Sequence, residues 1–296
     1  ESKEPMNRVT GGDVCSVKTV AATMAALMAM AENKQVVLMA PTEILARQHA
    51  ETIFKLLTPL NRADEVVLLI GSLNPSQKRQ AHDAIKHGKA KFVIGTHAVI
   101  QDIVDMHNLA MVIIDEQHRF GVEQRKKLMA KAGHMPHLLS LSATPIPRSL
   151  ALTLYGELDI SVIDQKPAGR KPIETEIISP SNVKDLYKQI NIKLVDGEQM
   201  FIVCPQITDN SETKTKSVEK VYEEAKHIFK KHKVKLIHGK LKSDEKQKVM
   251  QDFVNNKIQI LVATTVIEVG VDVPNANIIL IHSPEMFGLA QLHQLR

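Results

Sequence analysis

The feature that most constrains the fold is an unbroken apolar run, Met111–Ile114, which ends in two adjacent carboxylates, Asp115 and Glu116. An apolar run bounded by charge is typical of a strand buried on both faces of a parallel sheet. Open α/β sheets bind their ligands at the carboxyl ends of such strands. A carboxylate there can hold Mg²⁺ against a nucleotide, and its neighbour can activate the attacking water. Two solvated acids at the end of an ordinary strand give the same pattern. Other parts of the sequence are therefore needed to distinguish a nucleotide site from an ordinary strand end.

Apolar runs alternate with helix-type segments along both halves of the chain. Such alternation is typical of βα units, in which helices cover the faces of a parallel sheet. We therefore predict an α/β fold with two domains, each a mostly parallel sheet flanked by helices. A segment with two prolines, one glycine and three basic residues interrupts the alternation at residues 165–172 and is typical of a linker. The predicted domains are residues 1–164 and 173–296.

In the second half the pattern predicts strands at Ile173–Ile178, Met200–Cys204 and Ile258–Ala263. It also predicts a helix at Val218–His232 and a polar loop at Thr208–Lys216. No glycine-rich phosphate loop occurs in this half, so we expect one nucleotide-binding loop in the chain and place it in the first domain.

That loop lies between a strand candidate, Asn7–Thr10, and an Ala- and Met-rich helix candidate, Val20–Ala31. Strand, loop, Lys-Thr and helix, in this order, form the phosphate-loop arrangement. Its backbone N–H groups surround the phosphates, its lysine neutralises their charge and its threonine hydroxyl binds Mg²⁺. A plain turn before a helix is the alternative. The predicted ATP-binding residues of the loop are Gly12, Asp13, Val14, Cys15, Ser16, Val17, Lys18 and Thr19.

Val17 departs from this arrangement, because the pattern has a glycine before the lysine. Glycine lets the backbone approach the phosphate closely and adopt angles that a β-branched residue reaches only with strain. Strain of this kind costs about 1–3 kcal/mol, and a branched Cβ would also crowd the phosphate. We therefore expect the chain to bind ATP weakly or not at all, and we expect glycine at position 17 to raise the affinity.

Small polar residues follow several other strand candidates. Pro41 and Thr42 open a helix, and Thr96 and His97 follow a strand. Hydroxyls, backbone amides and helix N-termini at such positions suit contacts to a nucleic-acid backbone, although helix capping explains Thr42 nearly as well. Ser142 and the segment after it are expected to hydrogen-bond across to the Asp-Glu strand and couple nucleotide state to movement. A turn punctuated by prolines is the alternative there.

Composition narrows the class of partner. The chain has 296 residues, 44% of them hydrophobic and 24% charged, with a net charge of +5, which permits a polyanionic partner without requiring one. Aromatic residues make up 3%, so tracking of a nucleic-acid backbone is favoured over base stacking. The two cysteines suggest no disulfide framework, and no apolar run is long enough to span a membrane. We therefore expect a cytoplasmic protein without a membrane partner.

Several longer motifs resemble the superfamily 2 helicase motor of the RecG family of bacterial branch-migrating DNA helicases. In chain order the motifs are Ala-Pro-Thr-Glu-Ile-Leu-Ala, Ile-Gly-Thr-His-Ala, Asp-Glu-Gln-His-Arg-Phe-Gly, Ser-Ala-Thr-Pro-Ile-Pro-Arg, Thr-Thr-Val-Ile-Glu-Val-Gly-Val-Asp-Val-Pro-Asn-Ala-Asn and Phe-Gly-Leu-Ala-Gln-Leu-His-Gln-Leu-Arg. The resemblance covers nearly the whole chain. The related translocase of the transcription-repair coupling factor is the nearest alternative, and the Gln-His pair after Asp-Glu favours RecG.

This resemblance implies two RecA-like domains that move branched or double-stranded DNA by hydrolysing ATP with Mg²⁺, as a monomer associated with the nucleoid. It implies that Lys18 and Thr19 hold phosphate and Mg²⁺, that Asp115 holds Mg²⁺ and that Glu116 is the catalytic base. The implied coupling residues are Gln117, His118, Ser142 and Thr144. The implied DNA-track residues are Pro41, Thr42, Arg47, Thr96, His97, Thr264 and Thr265. Gly270, Asp272 and Gln294 are implied to lie at the nucleotide.

Three departures from the family pattern limit these expectations. Cys15 and Val17 replace glycines of the phosphate loop, and the sequence stops at Arg296, before the Gly-Arg-x-x-Arg of the family's last motif. Arginine fingers of that kind contribute about 10³- to 10⁵-fold in rate. The DNA-junction wedge domain of the family is also absent from this sequence. We therefore expect a piece of a longer protein that neither hydrolyses ATP efficiently nor recognises forks by itself.

Two further hypotheses belong to other functional classes. The first is a non-catalytic nucleic-acid-binding scaffold with a degraded phosphate loop, against which the intact Lys18, Asp115 and Glu116 argue. The second is a nucleotide-binding domain without a nucleic-acid partner, which the absence of salt-dependent DNA binding would favour.

Overall fold

The chain divides into two units, residues 1–170 and 171–296. The computed structural model describes residues 5–12, 17–117, 120–142, 159–163, 173–205, 218–239, 241–264, 273 and 275–295. The predicted linker, residues 165–172, lies wholly outside these residues, so the domain boundary stays a prediction.

The described part of the first unit contains a seven-stranded sheet in the order β3-β4-β2-β5-β6-β1-β7, in which all neighbouring strands are parallel. The strands are β1 Asn7–Gly12, β2 Gln35–Met39, β3 Val66–Leu69, β4 Phe92–Gly95, β5 Leu109–Asp115, β6 His137–Ser142 and β7 Asp159–Ile163. The helices are α1 Val17–Ala31, α2 Glu43–Leu57, α3 Pro75–Lys86 and α4 Val122–Ala130. The described strands and helices thus largely alternate, as the sequence predicts, although β4 and β5 are joined by a short 3-10 helix at His97–Ile100.

The apolar run before Asp115 is buried on both faces of this sheet. Met111 and Ile113 contact a cluster that includes residues of α1 and α2, whereas Val112 and Ile114 contact a second cluster that includes residues of α3 and α4. Side chains alternate between the two faces of a strand, so a continuous apolar run is what a strand covered on both sides requires. The prediction of a central buried strand is confirmed.

Gly95 ends β4 at a point of close backbone approach. A Cβ at this position would lie 2.2 Å from the Leu69 carbonyl oxygen and 2.4 Å from Cγ2 of Val99. Only glycine fits there, and the fit sets the direction in which the chain leaves β4 toward Thr96 and His97.

The described part of the second unit contains a four-stranded parallel sheet in the order β11-β8-β10-β9. Its strands are β8 Gln199–Cys204, β9 Val234–Ile237, β10 Ile260–Thr264 and β11 Ala276–Ile281, and its helices are α5 Val183–Val195, α6 Val218–Ile228, α7 Ser243–Val254 and α8 Leu289–Leu295. Side chains of α5 and α6 pack against β8 and β10 in one apolar cluster. The predicted fold class, two mostly parallel sheets flanked by helices, is confirmed.

Each unit has a buried glutamine at the start of a central strand, and the two glutamines make equivalent hydrogen bonds. In the first unit Gln35 Nε2 donates to the Ile85 and Ala90 carbonyls at 2.9 and 2.7 Å. In the second unit Gln199 Nε2 donates to the Phe253 and Ile258 carbonyls, both at 2.6 Å.

A second contact repeats in the same way. The Lys78 and Lys246 ammonium groups donate to the Gly71 and Gly239 carbonyls at 2.6 and 2.9 Å. Each contact ties the loop after a strand to the helix that follows it. The repeated alternation seen in the sequence therefore extends to matching side-chain contacts.

Several predicted elements differ from the structure. Ile173–Ile178 is not a strand, because its residues lie mostly exposed and have no ladder partners in the described part of the chain. Ile177 is fully exposed. The helix predicted over Val218–His232 ends at Ile228. The polar loop at Thr208–Lys216 lies outside the described residues. None of the helices that the structure describes is long and apolar enough to cross a membrane.

Candidate nucleotide site

The predicted site residues of the first unit converge at the carboxyl ends of three neighbouring strands. β1 ends at Gly12, β5 at Asp115 and β6 at Ser142. The register aligns Asp115 with Leu141 and Gly11 with Ser142, so β6 brings these three ends to one edge. The crevice outside the carboxyl ends of parallel strands is where open α/β sheets bind ligands.

Lys18 lies in the first turn of α1 and reaches back to the end of β1. Its Nζ atom donates to the Gly12 carbonyl oxygen at 2.7 Å, and its side chain is largely buried. A Cβ on Gly12 would lie 3.2 Å from atoms of Ile163 and 3.7 Å from the Lys18 side chain. The absence of a side chain at Gly12 therefore accommodates the close approach of Ile163 on β7.

The loop itself lies outside the described residues, since Asp13, Val14, Cys15 and Ser16 are not among them. Val17 is the first residue of α1. A helical backbone has negative φ and accepts valine readily, so the backbone strain expected at this position is absent. The expected crowding of a phosphate by the branched Cβ stays a prediction.

The two acids at the end of β5 are both buried in this unit. Asp115 is 9% exposed and Glu116 is 4% exposed, which excludes the alternative of two solvated acids at an ordinary strand end. Glu116 donates its backbone N–H to the Leu141 carbonyl at 3.0 Å. Buried carboxylates are rare unless they are held by partners or serve a function.

Glu116 also has a strained backbone. Its φ of +50° lies in the left-handed region, which costs a residue with a Cβ about 1–2 kcal/mol. Strained residues of this kind cluster at active sites, where the surrounding structure holds them in place. This left-handed conformation ends the extended backbone of β5 immediately after Asp115.

A histidine that the sequence prediction did not include connects the predicted metal ligands. His49, on α2, places Nε2 2.8 Å from Oδ2 of Asp115. Its Nδ1 lies 3.5 Å from Oγ1 of Thr19, which is itself buried on α1. No local sequence signal identifies His49, because its two partners lie 30 and 66 positions away along the chain.

Two predicted coupling residues flank the acids. Gln117 follows Glu116 and is 8% exposed, and Ser142 is 5% exposed at the end of β6. His118 and Thr144 lie outside the described residues.

The predicted DNA-track residues on α2 have structural partners. Thr42 is the N-cap of α2 and accepts a hydrogen bond from the Leu45 backbone N–H at 3.4 Å, as the capping interpretation predicts. Arg47 donates to the Ser72 hydroxyl at 3.2 Å, and Glu43 accepts from the Ser72 N–H at 3.1 Å. The α2 N-terminus and the loop after β3 therefore form one hydrogen-bonded surface next to Pro41.

Thr96 and His97 follow β4, and His97 contacts a residue that follows the Asp-Glu strand. Thr96 is buried, whereas His97 is exposed. The His97 ring meets the buried Phe120 ring edge to face, with centroids 5.5 Å apart and an interplanar angle of 71°. Phe120 lies four residues after Glu116, so a predicted DNA contact packs directly on the segment that carries the acids.

The second unit contributes one described track residue with a clear environment. Thr264 ends β10 beside Cys204, and its buried hydroxyl has no hydrogen-bond partner among the described residues. Thr265, Gly270 and Asp272 lie outside the described residues, and Gln294 lies in α8 with its side chain outside the description.

Comparisons with known families agree with this architecture. The model of the DEAD/DEAH box helicase family matches residues 5–153. The model of the helicase conserved C-terminal domain matches residues 181–296.

Individual relatives carry the name ATP-dependent DNA helicase RecG. The protein of Thermotoga maritima is 47% identical over 296 residues, which is 100% of this chain and 38% of that protein. The protein of Escherichia coli K12 is 46% identical over 296 residues, which is 99% of this chain and 42% of that protein. The chain thus spans about two fifths of the length of these relatives, whose names favour RecG over the coupling-factor alternative.

Solved structures show the same relationship. A structure of RecG bound to a three-way DNA junction matches with a TM-score of 0.80 and 44% identity, over 99% of this chain and 38% of that one. Yeast Dbp5 bound to RNA and ADP BeF3 matches with a TM-score of 0.72 at 15% identity, over 99% of this chain and 75% of that one, which shows the fold alone. The chain belongs to the DEAD/DEAH box helicase family, and its resemblance to the RecG proteins is confirmed over its whole length.

Proposed function

We propose that this chain is the motor region of an ATP-dependent DNA helicase that acts on branched DNA in recombination and repair. The observation that carries the proposal is the buried pair at the end of β5, in which Asp115 is linked through His49 to Thr19 and Glu116 has a strained backbone. A structural strand end requires none of these features. The RecG name of the relatives, and the junction in one RecG structure, suggest the substrate.

The residues at this edge fit a magnesium nucleotide. Magnesium prefers oxygen ligands such as carboxylates and hydroxyls, which Asp115 and Thr19 supply. Lys18, placed at the end of β1, is the cation that would face the phosphates. When bound, ATP and Mg²⁺ would supply the transferable phosphoryl group and the charge that organises it.

Glu116 is the residue best placed to act on water. A general base must lie within reach of the attacking water. A carboxylate that is shielded from solvent is better suited to accept the proton of that water. Glu116 has a left-handed backbone conformation, whereas Asp115 is the last residue of the extended strand β5. We assign Asp115 to the metal and Glu116 to the proton of the water.

DNA contacts are assigned to the surface formed by Pro41, Thr42 and Arg47, to Thr96 and His97, and in the second unit to Thr264 and Thr265. Hydroxyls and a helix N-terminus are groups that bind phosphate oxygens without reading sequence. Contact between His97 and Phe120 gives DNA a short physical route to the acids, with Gln117, His118, Ser142 and Thr144 completing the coupling. Gly270, Asp272 and Gln294 are assigned to the nucleotide.

The working form that we propose is a monomer in the cytoplasm, associated with the nucleoid, with domains at residues 1–164 and 173–296 and a linker at 165–172. The alternating pattern on both sides of the Pro- and Gly-containing segment supports these boundaries.

A second candidate function is a non-catalytic nucleic-acid-binding scaffold. It is favoured by Cys15 and Val17, which stand where the family has glycines in the phosphate loop.

The deciding experiment measures Mg²⁺–ATP binding to this chain beside a Cys15→Gly, Val17→Gly variant, by calorimetry. The proposal predicts that the variant binds at least tenfold more tightly and that branched DNA stimulates its hydrolysis of ATP. Equal affinity of the two proteins would refute the role given to Val17. Salt-dependent DNA binding by both proteins, without ATP binding by either, would favour the scaffold.

A further inference from the structure

We infer that His49 is a positioning residue for the magnesium site, an inference that rests on the proposed function. His49 lies on α2, yet its two ring nitrogens face residues on two other elements. Nε2 lies 2.8 Å from Oδ2 of Asp115 on β5, and Nδ1 lies 3.5 Å from Oγ1 of Thr19 on α1. These are the two side chains assigned to the metal.

The chemistry of the partners determines what the ring does. An ionised carboxylate only accepts hydrogen bonds, so the hydrogen shared with Asp115 lies on Nε2. In a neutral ring Nδ1 is then an acceptor, and the long contact from Thr19 is one in which the hydroxyl donates. A hydroxyl that donates to His49 keeps its oxygen lone pairs for a cation. A carboxylate held through Oδ2 keeps Oδ1 for the same cation.

Burial makes this arrangement rigid. The side chains of His49 and Asp115 are each 13% exposed, and water competes weakly for hydrogen bonds in such surroundings. α2 itself is held at its start by the Thr42 cap and by the contacts of Glu43 and Arg47 to Ser72. His49 is therefore fixed from outside the site, and the metal ligands are fixed through it.

His49 is not a ligand in a cage made of protein side chains alone. The described residues contain no group of three or more His, Cys, Asp or Glu side chains that could hold a metal ion. The metal would depend on Thr19, Asp115 and the nucleotide, and so on how well these two side chains are held. Groups that orient metal ligands typically contribute about 10- to 100-fold to metal affinity.

The test uses the Cys15→Gly, Val17→Gly variant as the parent, because this variant is the one expected to bind nucleotide. The parent is compared with His49→Leu in the same background, which fills the space without hydrogen bonding, and with His49→Gln, whose amide can still donate to Asp115. His134→Leu is the control, because His134 is an exposed loop residue. Binding of Mn²⁺, a paramagnetic substitute for Mg²⁺, is measured by electron paramagnetic resonance with saturating ADP. ADP affinity is measured separately in EDTA.

The inference predicts that His49→Leu weakens Mn²⁺ binding about 10- to 100-fold while ADP affinity in EDTA is unchanged. His49→Gln should recover part of the loss, and His134→Leu should match the parent. Unchanged or tighter Mn²⁺ binding by His49→Leu would overturn the inference and leave the proposed function intact.

A general structural role for His49 makes a different prediction, because damage to the unit would weaken ADP binding in EDTA as strongly as metal binding. That result would also overturn the inference. If the parent binds no ADP at all, the proposed function fails. The inference about His49 is then tested by Mn²⁺ titration of the nucleotide-free protein, again by comparing the parent with His49→Leu. Should His49→Leu not fold, His49→Asn replaces it, because its shorter amide does not reach Asp115 as glutamine does.

Discussion

The two units share a framework but differ at the carboxyl ends of their strands. Both hold a central strand with a buried glutamine and tie a loop to a helix through a lysine. In the first unit the buried polar residues near the strand ends include Lys18, Thr19, Asp115, Glu116 and Gln117. In the described part of the second unit, the buried side chains at the ends of β8 and β10 are the neutral Cys204 and Thr264.

This difference distinguishes the contacts that stabilise the fold of both units from the residues that serve the function of the first unit. The glutamine and lysine contacts occur in both units, so they belong to the fold. Among the residues that the structure describes, the buried acids and the strained Glu116 occur at one edge of one unit, where burial of charge works against stability. Features that cost stability and have no counterpart in a sister unit are best explained by function.

The largest expected effect is a loss of ATP hydrolysis when Glu116 is replaced. Such a loss would show that the chemistry occurs in the first unit. In the Cys15→Gly, Val17→Gly background, Glu116→Gln should lower ATP hydrolysis about 10²- to 10⁴-fold, because the amide cannot accept a proton from water. ATP affinity should remain, since Glu116 is assigned to water and not to the nucleotide. Single-turnover hydrolysis and equilibrium binding measure the two effects, with the exposed Glu32→Gln as control. If Glu116→Gln still hydrolyses ATP at the rate of its background, the chemistry does not depend on Glu116. The functional contrast between the two units would then fail.

The second prediction concerns the buried thiol of the second unit. Burial raises the pKa of Cys204 from 9.0 to about 12, because the thiolate would lose its hydration. Its thiolate fraction at pH 8 should therefore be about a thousand times smaller than that of an ordinary thiol, and alkylation should be slowed to match. Iodoacetamide labelling followed by peptide mass spectrometry measures the rate from pH 7 to 10. Fast labelling of Cys204 in the folded chain would show that this edge is open to solvent.

The third prediction tests the shared framework. Gln35→Leu should lower the free energy of unfolding of the first unit by about 3 kcal/mol, and Gln199→Leu that of the second by about 2 kcal/mol, because buried carbonyls lose their donors. The larger effect is expected at Gln35, whose Oε1 also accepts from the Asn108 N–H at 3.1 Å. Urea unfolding with hydrogen exchange resolved by unit measures both.

The exposed Gln80→Leu and Gln251→Leu are the matched controls for the framework variants. Equal destabilisation of both units by Gln35→Leu would contradict the separation of the framework into two independent halves.

The smallest effect concerns the strain at Glu116. Glu116→Gly should raise the stability of the first unit by about 1 kcal/mol, because glycine adopts positive φ without the Cβ penalty. Asn256→Gly in the second unit, at a φ of +55°, should change stability by only a few tenths of a kcal/mol, since asparagine tolerates this conformation. Thermal unfolding measures both. A loss of stability in Glu116→Gly would mean that contacts of the carboxylate outweigh the strain.

The strands that carry the site could be predicted because their sequence signal is local. The run Met111–Ile114 is typical of a strand covered on both faces, and its end locates Asp115 and Glu116. Lys18 and Thr19 follow from the loop pattern. The sequence pattern does not predict the short β7, Asp159–Ile163, because an edge strand does not need a continuous apolar run.

His49 could not be found in this way. Its role comes from contacts across 30 and 66 positions of sequence, which only the packing of α2 against α1 and β5 creates. The strand expected at Ile173–Ile178 failed for the opposite reason. The segment has β-type composition, but nothing in the described structure pairs with it or covers Ile177.

The most direct test of the account is a map of amide hydrogen exchange with and without Mg²⁺ and a non-hydrolysable ATP analogue, in the Cys15→Gly, Val17→Gly variant. The central claim is that nucleotide chemistry resides at the carboxyl edge of the first sheet. Exchange should slow most at the start of α1 and at residues 115–117, and least at the ends of β8 and β10. Protection centred on the ends of β8 and β10, with the first unit unchanged, would contradict the claim.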